Sequence, residues 1–272
     1  MTRQRIKDKN EELTRAEDAK KGLEKEVSDL EKQNEKIRKE VAVSGLNEMQ
    51  VRLVEENASD IDRNVRPEFK LDWRTIKFML LLGSGTFGDC YKGSIGTQEV
   101  AVSGVLAAVC AIRRQHRTDT ALYVCWQIKK MRAGLIDKDG FDSFSKEVVM
   151  LAQLDHENVV TFKGYCLKPA LLIVMDFVAG GTLKAFVTSA NEEGHPPRLQ
   201  TVTKILEGCA LALAYLHTMD PAPILHRDIK SENILLTEKL EPRIADLGEA
   251  RTMAQNKTMT AVGTNGYTAP EV

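Results

Sequence analysis

Across 272 residues, 38 Lys and Arg stand against 39 Asp and Glu, and a formal net charge of −1 argues against a general nucleic-acid binder. Hydrophobic residues make up 43%, enough for a real core in one or two domains, but the longest strongly apolar stretch, Val105 to Ile112, is far short of a membrane span of roughly 20 residues. No segment reads as a signal peptide. Cys90, Cys110, Cys125, Cys166 and Cys209 form no Cys-x-x-Cys pair and leave one over, which fits a reducing, cytoplasmic compartment better than a disulfide framework.

The first element is helical. Residues 1 to 66 hold no Phe, Tyr, Trp or Pro, and 23 of the first 40 residues are charged, so this part cannot build a globular core. It can build a seam. With Ile6, Leu13, Lys20, Val27, Asn34 and Val41 at heptad position a, Ala16, Leu23, Leu30 and Ile37 fall at d. Residues 1–48 are therefore expected to form a helical coiled coil, joining two copies or a copy and another protein. Glu12 facing Glu17 and Glu26 facing Glu31 would weaken a parallel homodimer, and a single solvated helix is the alternative. Residues 49–70 read as a polar linker.

An apolar strand, Ile76 to Leu82, then runs into Gly83-Ser84-Gly85-Thr-Phe-Gly88-Asp-Cys90. Glycines at this spacing let backbone amides close over phosphates, because no Cβ blocks the approach. The pattern alone suits a dinucleotide fold, a kinase lid or an ordinary hairpin. A dinucleotide fold needs a helix next, whereas Asp89 to Val102 reads as strand, turn and strand.

Further on, His226-Arg227-Asp228-Ile-Lys230-Ser-Glu-Asn233, Asp246-Leu-Gly248, and Gly263-Thr264 to Ala269-Pro270-Glu271 follow in order. With the glycine hairpin they resemble the protein kinase family. Lys230 and Gly263-Thr264 are similar to the serine/threonine type, and Asp220-Pro-Ala-Pro-Ile-Leu-His226 to its tyrosine-kinase-like group. The resemblance implies an α+β bilobal fold, an antiparallel β-rich N-lobe and a helical C-lobe, over residues 71–272. It also implies ATP and Mg²⁺ as cofactors and a protein Ser or Thr hydroxyl as acceptor.

By that resemblance Asp228 orients and deprotonates the hydroxyl, Lys230 steadies the γ-phosphate, and Asn233 and Asp246 hold the metal. Glu147, on a helical stretch from Phe141 to Leu151, would direct the nucleotide lysine. The nucleotide would meet Gly83, Ser84, Gly85, Gly88, Cys90, Ala101 and Leu235. Met175 resembles the gatekeeper, and the backbones of Asp176 and Val178 would face adenine. Arg227 suggests control by an activation-loop phosphate, for which Thr252, Thr258 and Thr260 are candidates. His217 and His226 are expected to be structural.

Two departures stand out. The lysine motif is broken after Val100-Ala101-Val102, and deleting residues 103–128 restores Val-Ala-Val-Lys129-Lys-Met, so that segment reads as an insertion or a translated intron. Alternatively, Ala121 to Ile128 replaces the lost half-strand, placing Gln127 where Ala101 would sit, with Lys129 as the lysine in either register. The sequence also stops just after Ala-Pro-Glu, where a kinase would continue for roughly a hundred residues by the family's pattern. Such a chain is expected to have little or no activity, with apolar surface exposed on the Thr201 to His217 helix. A scaffold with an inactive kinase-like domain is the competing reading.

Overall fold

The computed structural model describes residues 2–84, 88–95, 126–253, 264, 266 and 267, with the backbone alone for residues 2–16, 19, 23 and 26. Helix α1 spans Thr2–Val43, α2 Glu48–Asn57 and α3 Ser59–Asn64. Strands β1 (Ile76–Ser84), β2 (Gly88–Ile95), β3 (Trp126–Met131), β4 (Phe162–Cys166) and β5 (Leu172–Asp176) form one antiparallel sheet in the order β1-β2-β3-β5-β4. Helix α4 (Lys138–Leu151) lies between β3 and β4 in the chain.

Both faces of this sheet are covered, which explains why β5 is apolar without alternation. Leu172 and Val174 point into a cluster with Ile76, Phe78, Ile128 and, from α1, Ile37 and Val41. Ile173 and Met175 point the other way, into the main core with Phe141, Phe144 and Val148 of α4 and with Val54 and Ile61 of α2 and α3. The five strands are thus a filling between α1 on one side and α2 to α4 on the other.

The stretch read as a linker is therefore largely helical. Asn47 caps α2 by accepting from Gln50 N, while Asn47 N donates to Gln50 Oε1, a reciprocal capping box. Val54 and Ile61 are fully buried, so these short helices belong to the N-lobe core. The heptad seam also has a different neighbour from the one expected. Val27, Ile37 and Val41 are buried, and Asn34 Oδ1 accepts from Phe78 N at 2.9 Å, so the C-terminal half of the seam lies on the chain's own sheet.

Strand β3 resolves the lysine motif in favour of the replacement register. Trp126, Gln127 and Ile128, all counted within the inserted segment, are paired with Gly93, Lys92 and Tyr91 of β2 and with Asp176, Met175 and Val174 of β5. Burial of Ile128 between the strands selects this register, since a one-residue slip would put Gln127 into the apolar layer. Ala101 and residues 103–125 lie outside the described residues.

The second lobe holds α5 (Leu183–Glu192), α6 (Leu199–His217) and two small sheets, β6 (Ile224–Leu225) with β9 (Arg251–Thr252) and β7 (Ile234–Leu236) with β8 (Pro242–Ile244). Among the described residues α6 is the one helix long and apolar enough to cross a membrane. It is a core helix: Ile205, Gly208, Cys209, Ala212 and Leu216 form a buried stripe at helical spacing, with Gly208 against Pro242 and Asn158. Its opposite face leaves Leu199, Leu206 and Leu211 exposed.

Candidate active site

Lys129, expected from the sequence to be the nucleotide lysine, is placed by the register of β3. Lys129 lies opposite Cys90 of β2 and Ile173 of β5, and Glu147 comes to it from the third turn of α4. Asp137 caps that helix by accepting from Gly140 N. Lys129 Nζ donates to Glu147 Oε1 at 2.8 Å and Oε2 at 3.0 Å, and to Asp246 Oδ1 at 2.8 Å. Burial penalises the ammonium, but Glu147 and Asp246 outweigh it and hold Lys129 above its ordinary range.

Asp246 is delivered by the β7–β8 hairpin. Ile234 pairs with Ile244, and Ala245 N donates to Asn233 O, so Asn233 and Asp246 flank the same end of the hairpin. Burial would raise the Asp246 carboxyl, but the Lys129 ammonium overrides it and keeps the group below the usual range. Arg227 and Asp246 have φ of 67° and 62°, a left-handed conformation that side chains other than glycine adopt at a cost and that gathers at functional sites.

Asp228 has its own set of donors. Lys230 Nζ lies 2.7 Å from Oδ2, Asn233 Nδ2 donates to Oδ2 at 2.9 Å, and Thr264 Oγ1 donates to Oδ1 at 2.6 Å. Burial works against ionisation, but these bonds, Lys230 first, pull the carboxyl below its ordinary range. Lys230 also donates to Thr264 Oγ1 at 2.9 Å. The sequence reading used Thr264 only as a class marker; its contact with Asp228 joins positions 36 residues apart and has no local pattern to announce it.

His226 is structural in this arrangement. Asp228 N donates to Nδ1 at 3.3 Å, so Nε2 carries the proton and donates to Ala245 O at 3.1 Å. The ring joins the catalytic loop to the strand before Asp246. Burial lowers its pKa and keeps it neutral. His217 is exposed at the end of α6.

The remaining expected nucleotide contacts are distributed as follows. Gly83 and Ser84 end β1 and pair with Cys90 and Asp89; Gly85 lies outside the described residues. Gly88 is a necessity of packing, since a Cβ there would sit 2.0 Å from Lys130 O. Burial pushes the Cys90 thiol up to about 11, so at neutral pH it is a contact surface and no nucleophile. Met175 is buried, and Asp176 N donates to Thr161 O, which leaves that amide unavailable to adenine. Val178 and Leu235 are buried in the main core, where Gly180 and Gly181 bond to Leu236. Thr252 is paired in β9 with Ile224, while Thr258 and Thr260 lie outside the described residues.

Paired strands that carry Gly83 and Gly88, a half-buried lysine bridging two carboxylates and an aspartate held by a second lysine make up the apparatus of a phosphotransferase. The chain belongs to the protein kinase family: residues 76–272 match its protein kinase domain. It is 32% identical to Serine/threonine-protein kinase STY46 of Arabidopsis thaliana over 206 residues, 75% of this chain and 30% of the relative. Cysteine-rich receptor-like protein kinase 25 of the same plant is 34% identical over 70% of this chain and 25% of its own length. Wall-associated receptor kinase-like 10 is 33% identical over 74% and 24%. The chain thus spans less than a third of the length of these relatives.

Proposed function

We propose that the protein transfers the γ-phosphate of ATP to Ser or Thr hydroxyls of protein substrates. The observation that carries this reading is the pair of separate carboxylate centres, Asp228 and Asp246, each held ionised by its own lysine at 2.7–2.8 Å. Phosphoryl transfer asks chiefly for positioning and charge neutralisation.

Asp228 accepts the proton of the acceptor hydroxyl, and Thr264 and Asn233 fix the direction of its carboxylate. Lys230 neutralises charge on the transferred group. Lys129 binds phosphate oxygens of the nucleotide, with Glu147 holding it in line. The donor set suits Mg²⁺: Asn233 donates through its nitrogen, leaving the amide oxygen, and the Asp246 carboxylate is ionised, so both side chains offer hard oxygen donors. Bound Mg²⁺ would supply charge neutralisation at the phosphates. An inactive scaffold is the poorer reading, because nothing in binding alone requires Lys129, Glu147, Asp228, Asn233 and Asp246 together.

The Asp220 to His226 phrase supports membership of the tyrosine-kinase-like group, and the free thiols Cys90, Cys166 and Cys209 support a cytoplasmic setting for this domain. The test is transfer of labelled phosphate from Mg²⁺-ATP to a generic Ser/Thr protein by the purified chain. The expected result is a Mg²⁺-dependent thermal shift by ATP that is lost on Asp246→Asn, with the low transfer expected from the sequence lost altogether on Asp228→Asn. ATP giving no Mg²⁺-dependent shift in the folded chain would overturn the proposal.

A further inference from the structure

The heptad seam of α1 has two uses that one helix face cannot serve together. In a two-stranded coiled coil Val27, Asn34, Ile37 and Val41 would face a partner helix. Here Val27, Ile37 and Val41 are buried, and Ile37 and Val41 pack with Ile76, Phe78, Ile128, Leu172 and Val174 of the sheet. The polar a residue has found a specific bond as well. β1 is one of the two edge strands, and its Phe78 N–H donates to Asn34 Oδ1 at 2.9 Å, so the helix satisfies an edge amide that a strand would otherwise need to cover.

Contacts at the rim fix the orientation. The Arg38 guanidinium lies over the Trp73 ring at 5.4 Å, and Lys130 Nζ donates to Ser44 Oγ at 2.8 Å, just past the end of α1. The helix and its end thus hold two strands of the nucleotide site: β1, which leads into Gly83, and β3, in which Lys130 follows Lys129.

We propose that the α1 seam is an intramolecular docking surface for the N-lobe sheet, and that pairing with a second copy through the same seam excludes docking. The close charges of a parallel pair, Glu26 against Glu31, tilt the competition toward the docked monomer. Release of α1 frees β1 and loosens the glycine hairpin; this consequence rests on the kinase reading, whereas the competition itself does not.

The experiment reads two quantities on the full chain over a concentration series: mass by analytical ultracentrifugation, and hydrogen exchange at the Phe78 amide. Docked monomer gives a protected amide, and any dimer gives exchange faster by about tenfold. A monomer with an unprotected Phe78 amide overturns docking; a dimer with a protected one overturns exclusion. Asn34→Leu removes the acceptor for Phe78 and the polar residue from the seam, and is expected to shift the chain toward dimer with rapid Phe78 exchange. The wild-type series decides the matter even if that variant fails to fold. Mg²⁺-ATP affinity should fall severalfold in the undocked dimer, and unchanged affinity there would refute the link to the hairpin without touching the competition.

Discussion

At the scale of single residues, the site depends on which groups stay neutral as much as on which are charged. His226 lies within reach of Asp228 and Asp246, yet burial dominates and holds its pKa below the ordinary value. Its neutral form is the one that accepts from Asp228 N and donates to Ala245 O. With the folded pKa depressed, the unfolded chain binds the proton more readily, so stability is complete above the unfolded value of about 6.5 and declines as pH falls through it. Thermal midpoints measured from pH 7.5 to 5.5 should drop, with a slope from this residue of at most about 1.4 kcal/mol per pH unit. His226→Gln should be less stable overall but flatter across that window; an equally steep profile would show that another group is titrating. That Asp228, Lys230 and Asn233 would gather, with Asp246 on the neighbouring hairpin, was legible because they stand in short contiguous motifs. Thr264 was not, because its contact with Asp228 is made by the return of a distant loop.

At the scale of elements, the same division separates what could be read from what could not. The α4 helix was visible from Phe141, Phe144, Val148 and Leu151, an apolar stripe at helical spacing. What holds its start was hidden in a stretch that reads as polar linker. Gln50 Nε2 donates to Ala133 O at 2.7 Å and Ile136 O at 3.0 Å, bracing the turn just before the Asp137 cap, while its Oε1 caps α2. One amide thus ties α2 to the approach of the helix that carries Glu147. Gln50→Ala should cost about 1–2 kcal/mol, since two carbonyls and a cap lose their partner. The expected signature is faster hydrogen exchange in the first turn of α4, with the exchange of α6 unchanged. Equal acceleration in both helices would mean that Gln50 supports the fold at large and has no particular hold on α4. The register of β3 was also open in the sequence, because Val100 to Val102 and Trp126 to Ile128 are both apolar enough for a strand; pairing of Gln127 with Met175 and Lys92 shows which segment occupies it.

At the scale of the whole molecule, motif order was enough to anticipate two lobes, but not that α1 is part of the first. A heptad pattern states that a helix has an apolar stripe and is silent on what faces it. The clue lay elsewhere, in a β5 strand apolar on both faces, which demands a cover on each side of the sheet. Burial of Ile37 and Val41 on that face is worth on the order of 4 kcal/mol, at about 1.5–3 kcal/mol for each fully buried side chain. Against a typical total of about 5–15 kcal/mol, this is a deciding contribution. A chain lacking residues 1–43 keeps α2, α3 and every motif, yet exposes Ile76, Phe78, Leu172 and Val174 together. It should unfold at a markedly lower temperature than the full chain, bind an apolar dye in its folded state, and aggregate with rising concentration. A solvated helix held only by its own ion pairs would make the opposite mark: its removal would leave the thermal midpoint and dye binding where they were.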